Sequence, residues 1–228
     1  MKFPYTIIFT LFTFVCFSQT ISYEDWNKQA KTDIRLLPKY GNYPKNDKQK
    51  LADQELIEGY VAQEGSRRKA SEFLIDIGFE YLASGDIKTA MSRFNQSWLL
   101  DPENEDTYWG WGSVYFSFGD IKKAMEQYDE GLSLNPNNPR LLTDKATIYM
   151  GSFRESEDST ALETAIELFL KSYAIDKSNQ NTTFKLSVAY FESKDCDNAW
   201  KFYVICKELG GKPISSNYEA ALKEGCLR

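Results

Sequence analysis

Apolar residues recur at helical spacing along most of this chain. Leu74, Ile77, Gly78 and Tyr81 stand at i, i+3, i+4 and i+7, one face of an α-helix. Gly85-Asp86 follows, with glycine suited to a left-handed helix end and aspartate to the start of the next helix. A second run then presents Ile87, Ala90, Met91, Phe94 and Trp98 to one side, and Asp101-Pro102 ends it. The pattern predicts two antiparallel helices, with Gly78 allowing the second to approach the first closely.

The same arrangement returns 34 residues later without a gap. Gly78 falls on Gly112, Tyr81 on Tyr115, Gly85-Asp86-Ile87-Lys88 on Gly119-Asp120-Ile121-Lys122, Ala90-Met91 on Ala124-Met125, Phe94 on Tyr128, and Pro102 on Pro136. Ala146 and Tyr149 continue the offset. Seven extra residues then enter within Gly151-Thr160, so that Ala165 and Phe169 lie 41 after Ala124 and Tyr128. Leu186, Tyr190, Ala199 and Tyr203 mark a fourth unit. The insertion, GSFRESEDST, is polar and reads as a lengthened turn or a helix extension. Upstream, residues 47–62 read as a further helix with Leu51, Leu56, Ile57 and Tyr60 on its apolar side. Residues 37–44, punctuated by proline and glycine, read as an extended loop packed on the first unit.

These residues resemble the tetratricopeptide repeat, whose pattern W-x2-L-G-x2-Y…A-x3-F…P spans 34 positions. It is written here as Leu74, Ile77-Gly78, Tyr81, Ala90, Phe94, Pro102, and again as Tyr108, Trp111-Gly112, Tyr115, Ala124, Tyr128, Pro136. The third unit has Ala146 for glycine and Lys177 for proline, and the fourth has Ser187 for glycine. The resemblance implies an all-α superhelix, or solenoid, of about four helix hairpins. Its expected organisation is a leader at 1–18, an N-terminal extension at 19–70, repeats at 71–104, 105–138, 139–179 and 180–213, and a capping helix at 214–228. Such units cannot bury their apolar faces singly, so they stack and require caps.

The resemblance also directs attention to a groove lined by the first helix of each hairpin, where relatives hold a peptide or helix. The stripe assigned to it runs Ile75, Phe79, Leu82; Trp109, Ser113, Phe116; Thr143, Thr147, Met150; and Phe184, Val188, Phe191. Trp109, Phe116, Phe184 and Phe191 are the expected anchors of a protein or peptide partner, because aromatic side chains dominate interface energetics. Arg140 and Lys185 are the only basic residues on or beside these stretches, so the stripe favours an apolar partner over a clamped carboxylate. The competing reading is that the chain covers its own groove with Tyr23, Trp26, Ile34, Leu36, Leu37, Tyr40 and Tyr43.

Charge and composition narrow the function further. Net charge is −6, from 27 Lys+Arg and 33 Asp+Glu of both signs interspersed, and no basic stripe offers a nucleic-acid footprint. The cluster Arg67-Arg68-Lys69 reads as a solvated helix start. Histidine is absent, which removes the commonest general base and zinc ligand. The expectation is a binding protein without cofactor or metal and not an enzyme, the alternative being a structural subunit of a bacterial envelope or secretion assembly. Asn95-Gln96-Ser97 matches a glycosylation pattern but falls on an expected helix.

Met1-Lys2 followed by apolar residues 3–15 and Cys16-Phe17-Ser18 has the form of a secretory leader, too short to span a bilayer. The expected location is the periplasm or the exterior, with no membrane span after removal of the leader. Anchoring through acylated Cys16 is the variant reading. Three cysteines remain. In a stacked-hairpin chain the capping helix runs antiparallel to the helix before it, bringing Cys226 back to Cys196. The resemblance therefore implies a Cys196–Cys226 disulfide, with Cys206 a buried thiol where the family has alanine.

Overall fold

The computed structural model describes residues 21–226; the leader and Cys16 lie outside them. Among the described residues the regular structure is helical. In chain order the helices are α1 (Tyr23–Gln29), α2 (Asp47–Glu64), α3 (Arg67–Ala83), α4 (Ile87–Leu100), α5 (Glu105–Ser117), α6 (Ile121–Leu134), α7 (Pro139–Ser156), α8 (Ser159–Ile175), α9 (Gln180–Glu192), α10 (Cys196–Glu208) and α11 (Ser216–Gly225). Helices α3/α4, α5/α6, α7/α8 and α9/α10 form antiparallel hairpins, and α3, α5, α7 and α9 meet one another in succession. The chain is an all-α stack of helix hairpins.

Each hairpin is set by its turn and its interior. Gly85 and Gly119 take positive φ, and the following Asp86 and Asp120 cap α4 and α6 by accepting from the backbone N–H of Thr89 (3.1 Å) and Lys123 (3.0 Å). Asp195 does the same for α10, although the left-handed residue before it is Lys194. Inside the first two hairpins an aromatic ring lies against bare helix backbone. A Cβ on Gly78 or Gly110 would collide with Phe94, and one on Gly112 with Tyr128. The insertion lengthens both helices of the third hairpin: α7 has 18 residues against 13 in α5, and α8 has 17 against 14 in α6.

Basic side chains at the start of α3 are used structurally and are not merely solvated. Arg67 donates to the carbonyls of Leu99 (3.0 Å) and Leu100 (2.7 Å), satisfying the end of α4. Arg68 reaches Glu72, Asp101 and Glu105. Burial pushes the Glu105 carboxyl up, but hydrogen bonds from Asn135 and Arg68 outweigh it and hold the group below its usual range.

The N-terminal segment is a strap with its own anchors. Trp26 (1 % exposed) and Leu36 (3 %) enter the core shared by Ile87, Met91, Phe94 and Trp111. Asn95 on α4 donates its amide to the carbonyls of Arg35 (2.8 Å) and Leu37 (2.9 Å), so this asparagine is buried and presents no glycan acceptor. Tyr23 donates to Asp120, accepts from Lys123 and stacks on Phe118. Residues 37–44 are not extended: Lys39, Tyr40, Gly41 and Asn42 all have positive φ, a left-handed turn held by Lys39 on Glu130 and by Lys45 over the Tyr40 ring. Helix α2 packs through Ile57, Tyr60 and Val61 on α3, while Leu51 faces solvent.

Candidate partner-binding face

The first helices α3, α5, α7 and α9 lie side by side, and the strap sits elsewhere. Its contacts fall on α4, on Tyr108 of α5 and on Asp120, Lys123 and Glu130 at or in α6. Of the two readings, an open groove or one covered by the N-terminal segment, the strap's contacts favour the first: it completes the core from the second-helix side. Trp26 and Leu36 join the core of Ile87, Met91, Phe94 and Trp111, Trp26 also meets Phe118, and Asn95 supplies donors for the strap's carbonyls.

The eight groove residues read from sequence separate into three groups. Phe79 and Trp109 form an aromatic pair across α3 and α5, and Phe116 stands two turns further along α5. The Phe79 and Trp109 rings lie 4.0 Å apart, and Phe116 is 43 % exposed. Ile75, Thr143 and Met150 are buried, and of the three Ile75 lines a cleft described below. Thr143 instead shares hydroxyl hydrogen bonds of 2.8 Å with Ser172 and with Thr182. Phe184 and Phe191 form the third group and pack on Tyr218 of α11, with centroids 5.3 Å and 6.1 Å away. Ile75, Trp109, Thr143 and Phe184 share one repeat register, so what covers each is local: Ser172 and Thr182 close over Thr143, and Tyr218 over Phe184.

The open stripe one step around the helices is charged, and sequence reading passed over it. Asp106 of α5 pairs with Arg140 of α7 at 2.5 Å and accepts from Asn138 at 2.8 Å. Arg140 also lies over the Trp109 ring at 5.2 Å. Asp144 of α7 accepts from the Trp109 indole N–H at 2.7 Å and faces Lys185 of α9 at 3.5 Å. Lys185 in turn donates to Thr147 at 2.7 Å. Arg154, on the extended end of α7, donates to Glu192 of α9 at 2.8 Å. Opposite charges at the repeat offsets, Asp106 with Arg140 34 apart and Asp144 with Lys185 41 apart, are the signal that would have revealed this ladder.

The ladder joins consecutive first helices, which isolated surface pairs do weakly and a connected network does better. A cleft of about 280 Å³ opens between α3, α5 and α7, lined by Glu72, Ile75, Asp76, Asp106 and Arg140. The face thus offers stacked aromatics beside fixed charges of both signs, which suits side-chain recognition and holds no nucleophile–base pair. Among the described residues no group of three or more His, Cys, Asp or Glu is placed to hold a metal ion, and no helix is long and apolar enough to cross a membrane.

At the far end, Cys196 and Cys226 are paired, their Cα atoms 5.4 Å apart. Cys206 is buried in α10, and burial pushes its thiol pKa up.

Residues 81–151 match the family model described as tetratricopeptide repeat. No curated protein matches the chain. Among solved structures, a MamA from AMB-1 shares 20 % identity over 68 % of this chain and 80 % of its own, with a TM-score of 0.49. PilF of Pseudomonas aeruginosa shares 18 % identity over 63 % of this chain and 78 % of its own, TM-score 0.38. YrrB, described as a TPR protein with an unusual peptide-binding site, shares 14 % identity over 68 % of this chain and 92 % of its own, TM-score 0.34. The 34-residue recurrence and the hairpin stack built on it agree with that match: residues 81–151 are similar to the tetratricopeptide repeat, and the chain has the all-α fold of stacked helix hairpins.

Proposed function

We propose that this protein is a non-catalytic scaffold that holds a protein or peptide partner on the face formed by α3, α5 and α7. The observation that carries the reading is the Phe79–Trp109 ring pair set beside the Asp106–Arg140 ion pair, with Arg140 over the Trp109 ring. Phe116 is a large ring left 43 % exposed on a repeat whose other rings are mostly packed. Aromatic and arginine side chains are the usual centres of binding energy, and Trp109 and Arg140 are held by Asp144, Phe79 and Asp106. The partner that fits combines an apolar side chain for the ring pair with charged groups for the ladder, rather than a wholly apolar surface.

The test is co-purification of wild type beside a Trp109→Ala/Phe116→Ala variant at equal expression. The reading expects a defined polypeptide to be lost from the variant while the helical circular-dichroism signal stays. Retention of every co-purifying protein by the variant contradicts it, and retention within one large complex supports instead a structural subunit of an envelope or secretion assembly.

The reading also places the protein outside the reducing interior of its cell. The leader-like residues 1–18 support this, as does a paired Cys196–Cys226, since disulfides persist in oxidising compartments. A purified native chain beginning near residue 19 is the expected result of N-terminal sequencing. A chain still beginning at Met1 contradicts it.

A further inference from the structure

We infer that the Cys196–Cys226 pair is a redox latch on α11, and that its reduction uncovers the face of α9 carrying Phe184, Ser187 and Phe191. The inference is independent of the binding reading, because it concerns a conformational change read without a partner.

Helix α11 covers this face with little of its own. It has ten residues, a length at which an isolated helix is marginal in water. Its grip is one stripe and, at its end, a hydrogen bond of 2.9 Å from the Trp200 indole to the Cys226 carbonyl. Leu222 is buried, and the Tyr218 hydroxyl lies 2.6 Å from Ser187 Oγ with its ring edge-on to Phe184 and Phe191. The Phe191 ring also sits where a Cβ on Gly225 would be. Ala220, Ala221 and Glu224 face solvent. The chain reaches α11 through a turn in which Gly210 and Gly211 have positive φ, a segment with freedom to swing once its far end is released.

The two cores at this end are distinct. Ala199, Tyr203, Leu222 and Cys226 form the one that needs α11. Leu186, Ala189, Phe169 and Phe202 form another that joins α8, α9 and α10 without it. Loss of α11 therefore leaves the fourth hairpin with its own packing. The covered face is apolar and in register with the faces that first helices use against each other earlier in the stack.

A dithiol reductant supplies the chemistry. Cys196 is part-exposed and Cys226 is 3 % exposed, so the attacking thiolate meets Cys196 Sγ. The Cys196–Cys226 bond breaks, a mixed disulfide forms on Cys196, and Cys226 leaves as a thiolate that takes up a proton. The second thiolate of the reductant then attacks its own mixed disulfide. Cys196 leaves and is protonated, and the reductant departs as a cyclic disulfide. Cys206, buried in α10, takes no part.

The test is hydrogen exchange with mass spectrometry on the full chain, oxidised and after dithiothreitol, beside a Cys196→Ser/Cys226→Ser variant. For a bridge across a sequence separation of 30, removing the link is expected to speed exchange in residues 218–225 on the order of a few hundredfold. Protection in α3–α8 stays, and the variant behaves as the reduced protein under both conditions. Binding of a hydrophobic dye rises on reduction, and rises less in Phe184→Ala. Unchanged protection of α11 after reduction overturns the latch, as does simultaneous loss of protection in all hairpins. Full alkylation of Cys196 and Cys226 in oxidatively prepared protein before any reductant is added overturns it too.

Discussion

The first two hairpins and the last two have the same repeat backbone but complete their cores from different sources. In the first pair, glycines leave slots for rings: Gly78 and Gly110 for Phe94, Gly112 for Tyr128. In the second pair Ala146 and Ser187 hold the equivalent positions, and the hydroxyl of Ser187 donates to the carbonyl of Ala199. Between α8 and α10 the protein fills its own space, with Phe202 stacked on Tyr190 at 5.7 Å and met edge-on by Tyr173 at 5.3 Å. By the repeat offset, Gln127 stands where Phe202 does, and at that junction Trp26 and Leu36 of the strap join the core. The ends differ in kind as well, a non-repeat strap with α2 at one and a cysteine-paired helix at the other. A repeat backbone specifies the stacking and leaves the filling to be supplied locally.

That contrast can be broken at its heaviest point. Trp26→Ala is expected to cost about 3–5 kcal/mol, the usual range for removing a buried large aromatic. Urea unfolding measures the loss, and hydrogen exchange is expected to assign it to α3–α6 with α7–α10 spared. Equal loss in both halves would show that the strap stabilises the stack as one body. The glycine slots sharpen the contrast at lower cost. Gly112→Ala forces a methyl group into Tyr128 and is expected to destabilise by about 1–3 kcal/mol. Ala146→Gly, the reverse change at the matching place, is expected to cost about 1 kcal/mol through helix propensity. Thermal unfolding of the pair checks the order, and a larger loss from Ala146→Gly would contradict the slot account.

Much of the fold could be read from sequence because the repeat offset is kept without a gap through Gly78/Gly112, Gly85-Asp86/Gly119-Asp120 and Phe94/Tyr128. The antiparallel return of the last helix likewise places Cys226 beside Cys196. What escaped is what local pattern does not encode. The apolar content of the strap is visible in Trp26 and Leu36, but which side of the stack receives it depends on Asn95, a residue with no apolar signal. Lys39 and Tyr40 adopt a left-handed backbone that residues of their type seldom take. At the candidate face, the stripe read from sequence contains Phe79, Trp109 and Phe116, while its other aromatic anchors, Phe184 and Phe191, pack on Tyr218. The ladder Asp106–Arg140 and Asp144–Lys185 was not legible, because apolar periodicity marks the buried side of a helix and is silent about charges beside it.

The proposed role rests on which side of the first helices meets the partner. A photo-crosslinking side chain placed at Phe116, and separately at the exposed Val204 of α10, tests this in the cell that makes the protein. The account predicts a discrete adduct with one polypeptide from position 116 and none with that polypeptide from position 204. The same adduct from 204 alone would contradict it and move the binding face to the second helices.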